Sequence, residues 1–415
     1  VKVTLVTVGC KLNQFESDAL AQKLRESGFE VVGSIDKADV VVINTCTVTN
    51  SADSKSRQHM KQAKREGKKV VVTGCYATTD GEEILNRGLA DIILPNDKKF
   101  TLPSLLLESP EEKQEDFPLV VEYERTRAYL KIQDGCNRFC SYCKIPYARG
   151  RSRSLPLPEV VRRFRELISG GYKEIILTGV NISDYQDKEA TLFTLVSRLL
   201  EEKGDFRIRL SSLQPDQFEE AFLTLLHHPK LTPHFHLSLQ SGSSEVLQRM
   251  RRHYTAEFFL TLCEKIRLAR KDTALTTDII VGFPKETEEE FQKTVELVQK
   301  VRFSRVHLFS YSPRAGTWAA SQAQLPEELK KRRLHELEQK AIASAESWVK
   351  ETLLGKPSTV LVEESTDEYS YGYTEHYLYA RVKGNFPQNS FIQCMPTDTW
   401  IHQGAVSIKG ESPSA

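Results

Sequence analysis

The sequence predicts an α/β protein in three parts. A doubly wound parallel-sheet amino-terminal domain occupies residues 1–97, a partial (βα)6 barrel residues 126–354 and a small all-β domain residues 355–415, with residues 98–125 as a linker. Three observations carry this. Apolar runs alternate with amphipathic stretches through the first 97 residues, the pattern of a parallel sheet buried on both faces. The alternation returns six times between residues 126 and 312. Beyond residue 355 no helical period survives.

Taken in order, Val3–Val8, Val40–Ile43, Val70–Val72 and Ile92–Leu94 read as the strands of the first sheet. Between them lie Ser17–Ser27, with apolar Leu20 and Leu24, and a basic helical stretch from Ala52 to Glu66. Residues 98–124 carry Pro103, Pro110 and Pro118 and seven acidic residues against three lysines, a surface connector with at most one short helical piece. The barrel strands are expected at Tyr129–Gln133, Glu174–Thr178, Arg207–Leu210, His234–Leu239, Ala274–Val281 and Arg305–Phe309. Helices are expected at Pro158–Ser169, Leu192–Glu202, Gln217–Leu226, Ala256–Ala269 and Glu288–Val301. Six βα units fall short of eight, so the TIM-like barrel is expected to be open. A charged helix spans about Pro326–Leu354, and Thr359–Glu363, Leu378–Lys383 and Phe391–Cys394 read as strands of a barrel-like end.

With 415 residues, 40% hydrophobic and 27% charged, whole-chain disorder is excluded. Lys plus Arg total 57 and Asp plus Glu 56, so any nucleic-acid surface must be local. The first apolar run is too short for a signal peptide core, and no run approaches the ~18–20 apolar residues of a membrane span. A cytoplasmic protein without a membrane partner is expected.

Eight cysteines in a reducing compartment point to metal or redox chemistry rather than disulfides. Cys136, Cys140 and Cys143 fall within eight residues, just past a strand, and can converge on one centre. A zinc site is the alternative, but structural zinc takes four ligands and the next ring nitrogen along the chain is His227. Three cysteines on a [4Fe–4S] cluster leave one iron open to a small molecule. Cys10, Cys46 and Cys75 each follow an expected strand within one to three residues. In a parallel sheet they would meet at the carboxyl edge, where sites form. Three buried structural cysteines would read the same way.

The Cys-x3-Cys-x2-Cys spacing at the first barrel strand resembles the radical S-adenosylmethionine signature. Gly9-Cys10-Lys11-Leu12-Asn13-Gln14, Asn44-Thr45-Cys46-Thr47-Val48-Thr49 and Thr73-Gly74-Cys75 resemble the amino-terminal domain of the methylthiotransferase family. The resemblance covers nearly the whole chain, including an end that looks like the family's TRAM RNA-binding barrel. It implies a second [4Fe–4S] cluster on Cys10, Cys46 and Cys75, and S-adenosylmethionine as radical source and methyl donor. It also implies replacement of a hydrogen on an unactivated carbon by a methylthio group. The run from Asn44 through Asn50, Ala52, Lys55, Ser56 and Arg57 resembles the bacterial-type branch acting on N6-threonylcarbamoyladenosine at tRNA position 37, next to the anticodon. The same chemistry on isopentenyladenosine tRNA or a ribosomal protein, and a non-catalytic metal- and RNA-binding protein, are the competing readings.

The resemblance also implies cofactor contacts at Tyr142, at Thr178 and Gly179 after the second strand, at Gln240, and at Asp278 and Val281 in the fifth. Packing at Tyr142, a strand-end turn at Thr178 and Gly179, and a satisfied barrel-mouth amide at Gln240 are the alternatives. The family usually has Gly after Phe283-Pro284, where this chain has Lys285; a left-handed residue there would cost roughly 1–2 kcal/mol. Cys263 sits on the apolar helix face of Phe259, Leu262 and Ile266 and reads as core; Cys394 receives no role.

For RNA, residues 125–165 carry eleven Lys/Arg against two acids, and residues 54–69 seven against one. Lys55, Arg57, Arg149, Arg151 and Arg153 are the expected contacts. The last three are placed on one side of an extended segment, and solvated charged faces are the bland alternative. The carboxy-terminal domain has four basic residues against seven acidic ones. Its five tyrosines, two phenylalanines and Trp400 suit base stacking on the anticodon arm better than phosphate binding. The expected partners are tRNA and an electron donor such as flavodoxin or ferredoxin.

Overall fold

Five parallel strands order the first sheet of this computed structural model, which describes residues 1–110, 116–121, 123 and 125–412. They are β1 (Lys2–Thr7), β2 (Glu30–Val31), β3 (Val40–Thr45), β4 (Lys69–Gly74) and β5 (Ile92–Leu94), in the order β2-β1-β3-β4-β5. Val41, Val42, Ile43, Val70, Val71 and Val72 are fully buried, as continuous β-branched runs covered on both faces require. Helices α1 (Lys11–Glu26), α2 (Asn50–Arg65) and α3 (Cys75–Asn86) return the chain between strands. Helix α1 begins six residues before the expected Ser17; its first turns bury Leu12 and Phe15 in the core and polar Asn13 and Glu16 beside them. Helix α3 was not expected; it starts at Cys75 itself.

Residues 96–106, part of the expected linker, form a 3-10 turn (Asn96–Thr101) and α4 (Leu102–Leu106). Phe100 and Leu102 join the core of the first sheet. Linker residues 111–115, 122 and 124 lie outside the described residues.

The second sheet system runs β6 (Ala128–Lys131), β7 (Glu174–Thr178), β8 (Arg207–Leu210), β9 (His234–Leu237), β10 (Ala274–Val281) and β11 (Arg305–Ser310), all parallel. The third strand serves both neighbours. Arg207–Leu210 pairs with β7, and Ser212–Leu213, beyond Ser211, pairs with β9. No ladder joins β6 to β11 among the described residues, so the barrel is open, as expected. The helix expected at Gln217–Leu226 is one turn, Phe222–Leu225. Pro215 opens the segment, and Phe218 stays extended to set its ring 5.5 Å from that of Phe235.

A 26-residue helix, α5 (Glu327–Thr352), leads to a closed five-stranded barrel of Ser358–Ser365, Tyr369–Thr374, Tyr379–Lys383, Phe391–His402 and Ala405–Glu411. Glu174, buried at the start of β7, pairs with Arg207 and Arg209. Their remaining donors reach carbonyls of Thr359, Tyr373, Thr374 and Glu375, so the small barrel caps the amino-terminal end of the large one. No described helix is long and apolar enough to cross a membrane.

Lys285 has φ +64°, the left-handed conformation its family position calls for. Lys285→Gly removes a strain of roughly 1–2 kcal/mol and adds about 0.5–1 kcal/mol of unfolded-state entropy cost. The balance is a gain of about 0–1.5 kcal/mol, so a rise in the thermal unfolding midpoint is expected; a lower midpoint contradicts the strain.

Candidate active site

Strands β1, β3 and β4 are neighbours, so their carboxyl ends lie side by side. Cys10 caps α1, Cys46 follows β3 directly and Cys75 opens α3. Gly9 permits the close approach of these loops: a Cβ there would sit 2.5 Å from Cys46 Cβ and 2.9 Å from its Sγ. Asn13 Nδ2 donates to the carbonyls of Val8 (2.8 Å) and Thr45 (3.0 Å), tying two of the strand ends together. Burial pushes the Cys46 thiol up to about 12, and the facing Cys10 and Cys75 add to it. Burial also raises Cys75, against the pull of Arg149 and Lys99. Grouped thiols that resist ionisation alone suit a cationic centre, which supplies the missing charge.

The barrel triad follows β6. Gly135 has φ +75°, and a Cβ there would fall 2.0 Å from the Arg151 carbonyl. Cys136 N–H donates to Gly150 O (3.1 Å) and Cys143 N–H to Cys140 O (3.0 Å), closing a compact loop. Arg252 Nη1 donates to Cys140 Sγ (3.4 Å). Burial pushes Cys143 to about 12, with Cys140 and Cys136 adding to it, and burial raises Cys136. Among the described residues the one set of three metal-ligand atoms lying within 4.8 Å of one another is His236, Asp278 and His307. Three thiols in one loop leave a fourth position open, which suits an iron–sulfur centre better than a closed structural zinc site.

A buried charge network joins the two triads. Arg149, the last residue of the short helix Ile145–Arg149, uses all five guanidinium hydrogens. Nε donates to Cys75 Sγ (3.3 Å). Nη1 reaches Glu16 Oε1 (2.7 Å) and Asp134 Oδ1 (3.1 Å), and Nη2 reaches Asn13 Oδ1 (3.0 Å) and Glu16 Oε2 (2.9 Å). Lys99 and Lys131 also bind Glu16, and Lys131 binds Asp134. Burial alone would raise the Glu16 carboxyl, but Arg149, Lys99 and Lys131 hold it well below its usual range. This corrects the expectation that Arg149 contacts RNA. It is buried and helical, with no donor left for a phosphate. A second arginine pins the Cys46 loop: Arg314 donates to Thr47, Asn50 and Asp53.

Between the two cysteine loops lies a cleft of about 180 Å³. Val48 and Thr49 line it from the Cys46 loop, Tyr142 from the barrel triad, and Gln240, Asp278, Ile280 and the segment Phe309–Ser312 from the strand ends. Gln240 has φ +71° and is locked there by backbone bonds from its N–H to Asp278 O (2.8 Å) and from Ile280 N–H to its own carbonyl (2.9 Å). Strain held this way is typical of ligand clamps. Burial would raise the Asp278 carboxyl, but His236 and His307 keep it below its usual range, so it is ionised. Three of the six expected cofactor residues, Tyr142, Gln240 and Asp278, thus share the cleft. Thr178 and Gly179 lie at the β7 end beside Gln133 rather than in its lining. Val281 packs into the barrel core, because it alternates with Ile280 along β10. Sequence reading missed Val48, Thr49 and Phe309–Ser312, which carry no distinctive residue type.

Lys55 is exposed, and Arg57 binds the Tyr76 hydroxyl (3.0 Å). Arg57, Lys61, Lys64 and Arg65 line a groove along α2, which leads away from the cleft. Arg151 is exposed with its guanidinium 4.6 Å from the Phe139 ring centre; Arg153, also exposed, lies 3.3 Å from Asp116. On the carboxy-terminal barrel, Tyr371 and His402 both stack on Tyr379, and Trp400 lies beside His402.

A family model described as "Radical SAM superfamily" matches residues 130–298, and one described as "Uncharacterized protein family UPF0004" matches residues 2–95. A threonylcarbamoyladenosine tRNA methylthiotransferase of Aquifex aeolicus is 41% identical over 82% of this chain and 88% of its own length. One from Bacillus subtilis is 38% identical over 92% and 90%. The tRNA-2-methylthio-N(6)-dimethylallyladenosine synthase of Anaplasma marginale is 33% identical over 91% and 89%. The fold resembles the radical S-adenosylmethionine methyltransferase TsrM from Kitasatospora setae, with TM-score 0.55, 16% identity, and 75% and 76% of the two chains covered.

Glu16→Gln leaves Lys99, Lys131 and Arg149 with a neutral partner in a buried site. Breaking a buried ion pair by removing one partner costs about 3–5 kcal/mol. Denaturant unfolding followed by circular dichroism is expected to show a loss of that order; a change below about 1 kcal/mol, the range of exposed pairs, contradicts the network's role.

Proposed function

The chain belongs to the radical S-adenosylmethionine tRNA methylthiotransferases, and we propose that it converts N6-threonylcarbamoyladenosine at tRNA position 37 to its 2-methylthio derivative. The observation that carries the reading is that the Cys46 loop and the Cys140–Cys143 loop line one cleft. A base entering it would lie between two thiol triads. The relatives named for threonylcarbamoyladenosine are 36–41% identical, against 33–35% for the dimethylallyladenosine synthases, which supports the branch.

A radical S-adenosylmethionine enzyme binds one [4Fe–4S] cluster and S-adenosylmethionine, and its tRNA substrate follows from its relatives. Cys136, Cys140 and Cys143 would hold that cluster, and Cys10, Cys46 and Cys75 a second. When bound, these groups supply the one-electron chemistry, the sulfur and the methyl group for exchanging the C2 hydrogen. The chain's own residues bind and orient. Asp278, ionised, accepts hydrogen bonds from an ammonium or ribose hydroxyl, Gln240 offers an amide in one fixed direction, and Tyr142 gives the adenine a flat apolar face. Ile280, Phe309 and Tyr311 displace water from the cleft.

RNA binding divides between two surfaces. The basic groove of α2 suits phosphates, and the stacked Tyr371, Tyr379 and His402 with Trp400 suit unpaired bases of the anticodon arm. The edge strand β11 joins them: its first residue, Arg305, neighbours Tyr379 and His402, and its last, Ser310, lines the cleft. Reduction requires an external donor of the flavodoxin or ferredoxin class. The eight free thiols suit the reducing cytoplasm.

Two outcomes test the reading. After anaerobic reconstitution the protein is expected to hold about eight irons per chain, and Cys136→Ala/Cys140→Ala/Cys143→Ala about four. Nucleoside mass spectrometry of a deletion strain should show 2-methylthio-threonylcarbamoyladenosine absent and restored only by the intact gene; disappearance of the dimethylallyl product instead overturns the branch. For RNA, Lys55→Glu/Lys61→Glu/Arg65→Glu should weaken tRNA binding more than tenfold. It should also make the log–log salt slope shallower by about 0.7 for each phosphate no longer neutralised, on single-stranded RNA. Anisotropy titrations at several salt concentrations measure both, and unchanged binding removes α2 from the interface.

A further inference from the structure

Arg149 belongs to the barrel, yet its Nε–H points at Cys75 of the first domain. Its other four hydrogens are fixed by oxygen acceptors of Glu16, Asp134 and Asn13, so the fork cannot rotate away from the sulfur. Asn13, which accepts from Arg149, also lies 3.9 Å from Cys10 Sγ. Around the guanidinium stand two carboxylates, Glu16 and Asp134, against three cations, Arg149, Lys99 and Lys131. The balance beside Cys75 is therefore positive, in a site from which water is excluded.

Resting on the reading that Cys10, Cys46 and Cys75 hold a [4Fe–4S] centre, we infer that Arg149 is a positioning residue lent by the barrel to that centre, raising its reduction potential through the hydrogen bond to Cys75. Hydrogen bonds to cluster sulfurs and nearby positive charge both stabilise the reduced, more negative state. A donor at 3.3 Å in a dry site acts with little screening. Cys140 has an analogous partner in Arg252, but that arginine comes from the barrel's own chain segment and is bonded to Gln214, Ser238 and Tyr254. The amino-terminal centre alone takes its arginine from another domain, so its potential depends on domain docking.

The test uses the full-length protein carrying both centres and a redox titration followed by electron paramagnetic resonance. Arg149→Lys keeps a charge for Glu16 but loses the N–H···S fork. It is expected to lower the potential of the amino-terminal centre and leave that of the barrel centre in place. Arg314→Lys is the control, since Arg314 also crosses between the domains but binds Thr47, Asn50 and Asp53. It should leave both potentials unchanged. No fall with Arg149→Lys, or an equal fall with Arg314→Lys, overturns the inference and assigns both arginines to docking alone. Should Arg149→Lys fail to retain the centre, the unaltered protein labelled with 15N-arginine decides. A nitrogen coupling to the reduced amino-terminal centre is expected, and its absence overturns the inference. A Cys136→Ala/Cys140→Ala/Cys143→Ala chain that holds no four-iron centre overturns the reading of the triad itself, and this inference with it.

Discussion

One buried ion pair holds the arrangement together. Glu16, on the first turns of a helix in one domain, meets Arg149, at the end of a five-residue helix in another, by two hydrogen bonds of 2.7 and 2.9 Å. A carboxylate so enclosed is tolerable only because three cations surround it. The bidentate fork fixes distance and direction together. Arg149 is also six residues beyond Cys143, and Glu16 is six beyond Cys10. The pair therefore sets the separation of the two cysteine loops. The cleft between them, lined by Val48 and Tyr142, follows from that separation. Lys144, paired with Asp80 at 3.0 Å, and Arg314 hold the same interface at two further points.

The cysteines were legible in the sequence because two independent rules place them. Three share a short loop at metal-binding spacing, and three follow strands whose carboxyl ends a parallel sheet must align. The strands themselves were legible wherever burial on both faces leaves an unbroken apolar run, as at Val40–Ile43 and Val70–Val72. What escaped was the polar half of the interface. Glu16 is separated from Lys99 by 83 residues and from Arg149 by 133, so no local pattern links them. Lys99 sits in a stretch whose composition reads as a connector, and Arg149 in a basic stretch that reads as a nucleic-acid surface. Charge counts along a chain report the residues present and not the direction each faces. The left-handed Gln240 escaped for a related reason: its conformation is imposed by β10, which contributes both backbone partners.

The two β-systems divide the work by their edges. A closed eight-stranded barrel has no free strand edge, and the small carboxy-terminal barrel closes fully as well. Among the described residues the large barrel stops at six strands and leaves β11 without a strand partner on its outer side. That edge is neither long nor flat, and the neighbouring domains flank it. The acidic balance of the small barrel and its stacked rings suit base stacking better than phosphate binding.

The placement of Glu16 also bears on the order in which the molecule can be made. A ribosome delivers all five strands of the first sheet, with Cys10, Cys46 and Cys75, before Lys131 and Arg149 exist. Until those residues emerge, the first domain holds a carboxylate whose charge is balanced by Lys99 alone. The counter-charge is completed only by Lys131 and by the loop that carries the second set of thiols.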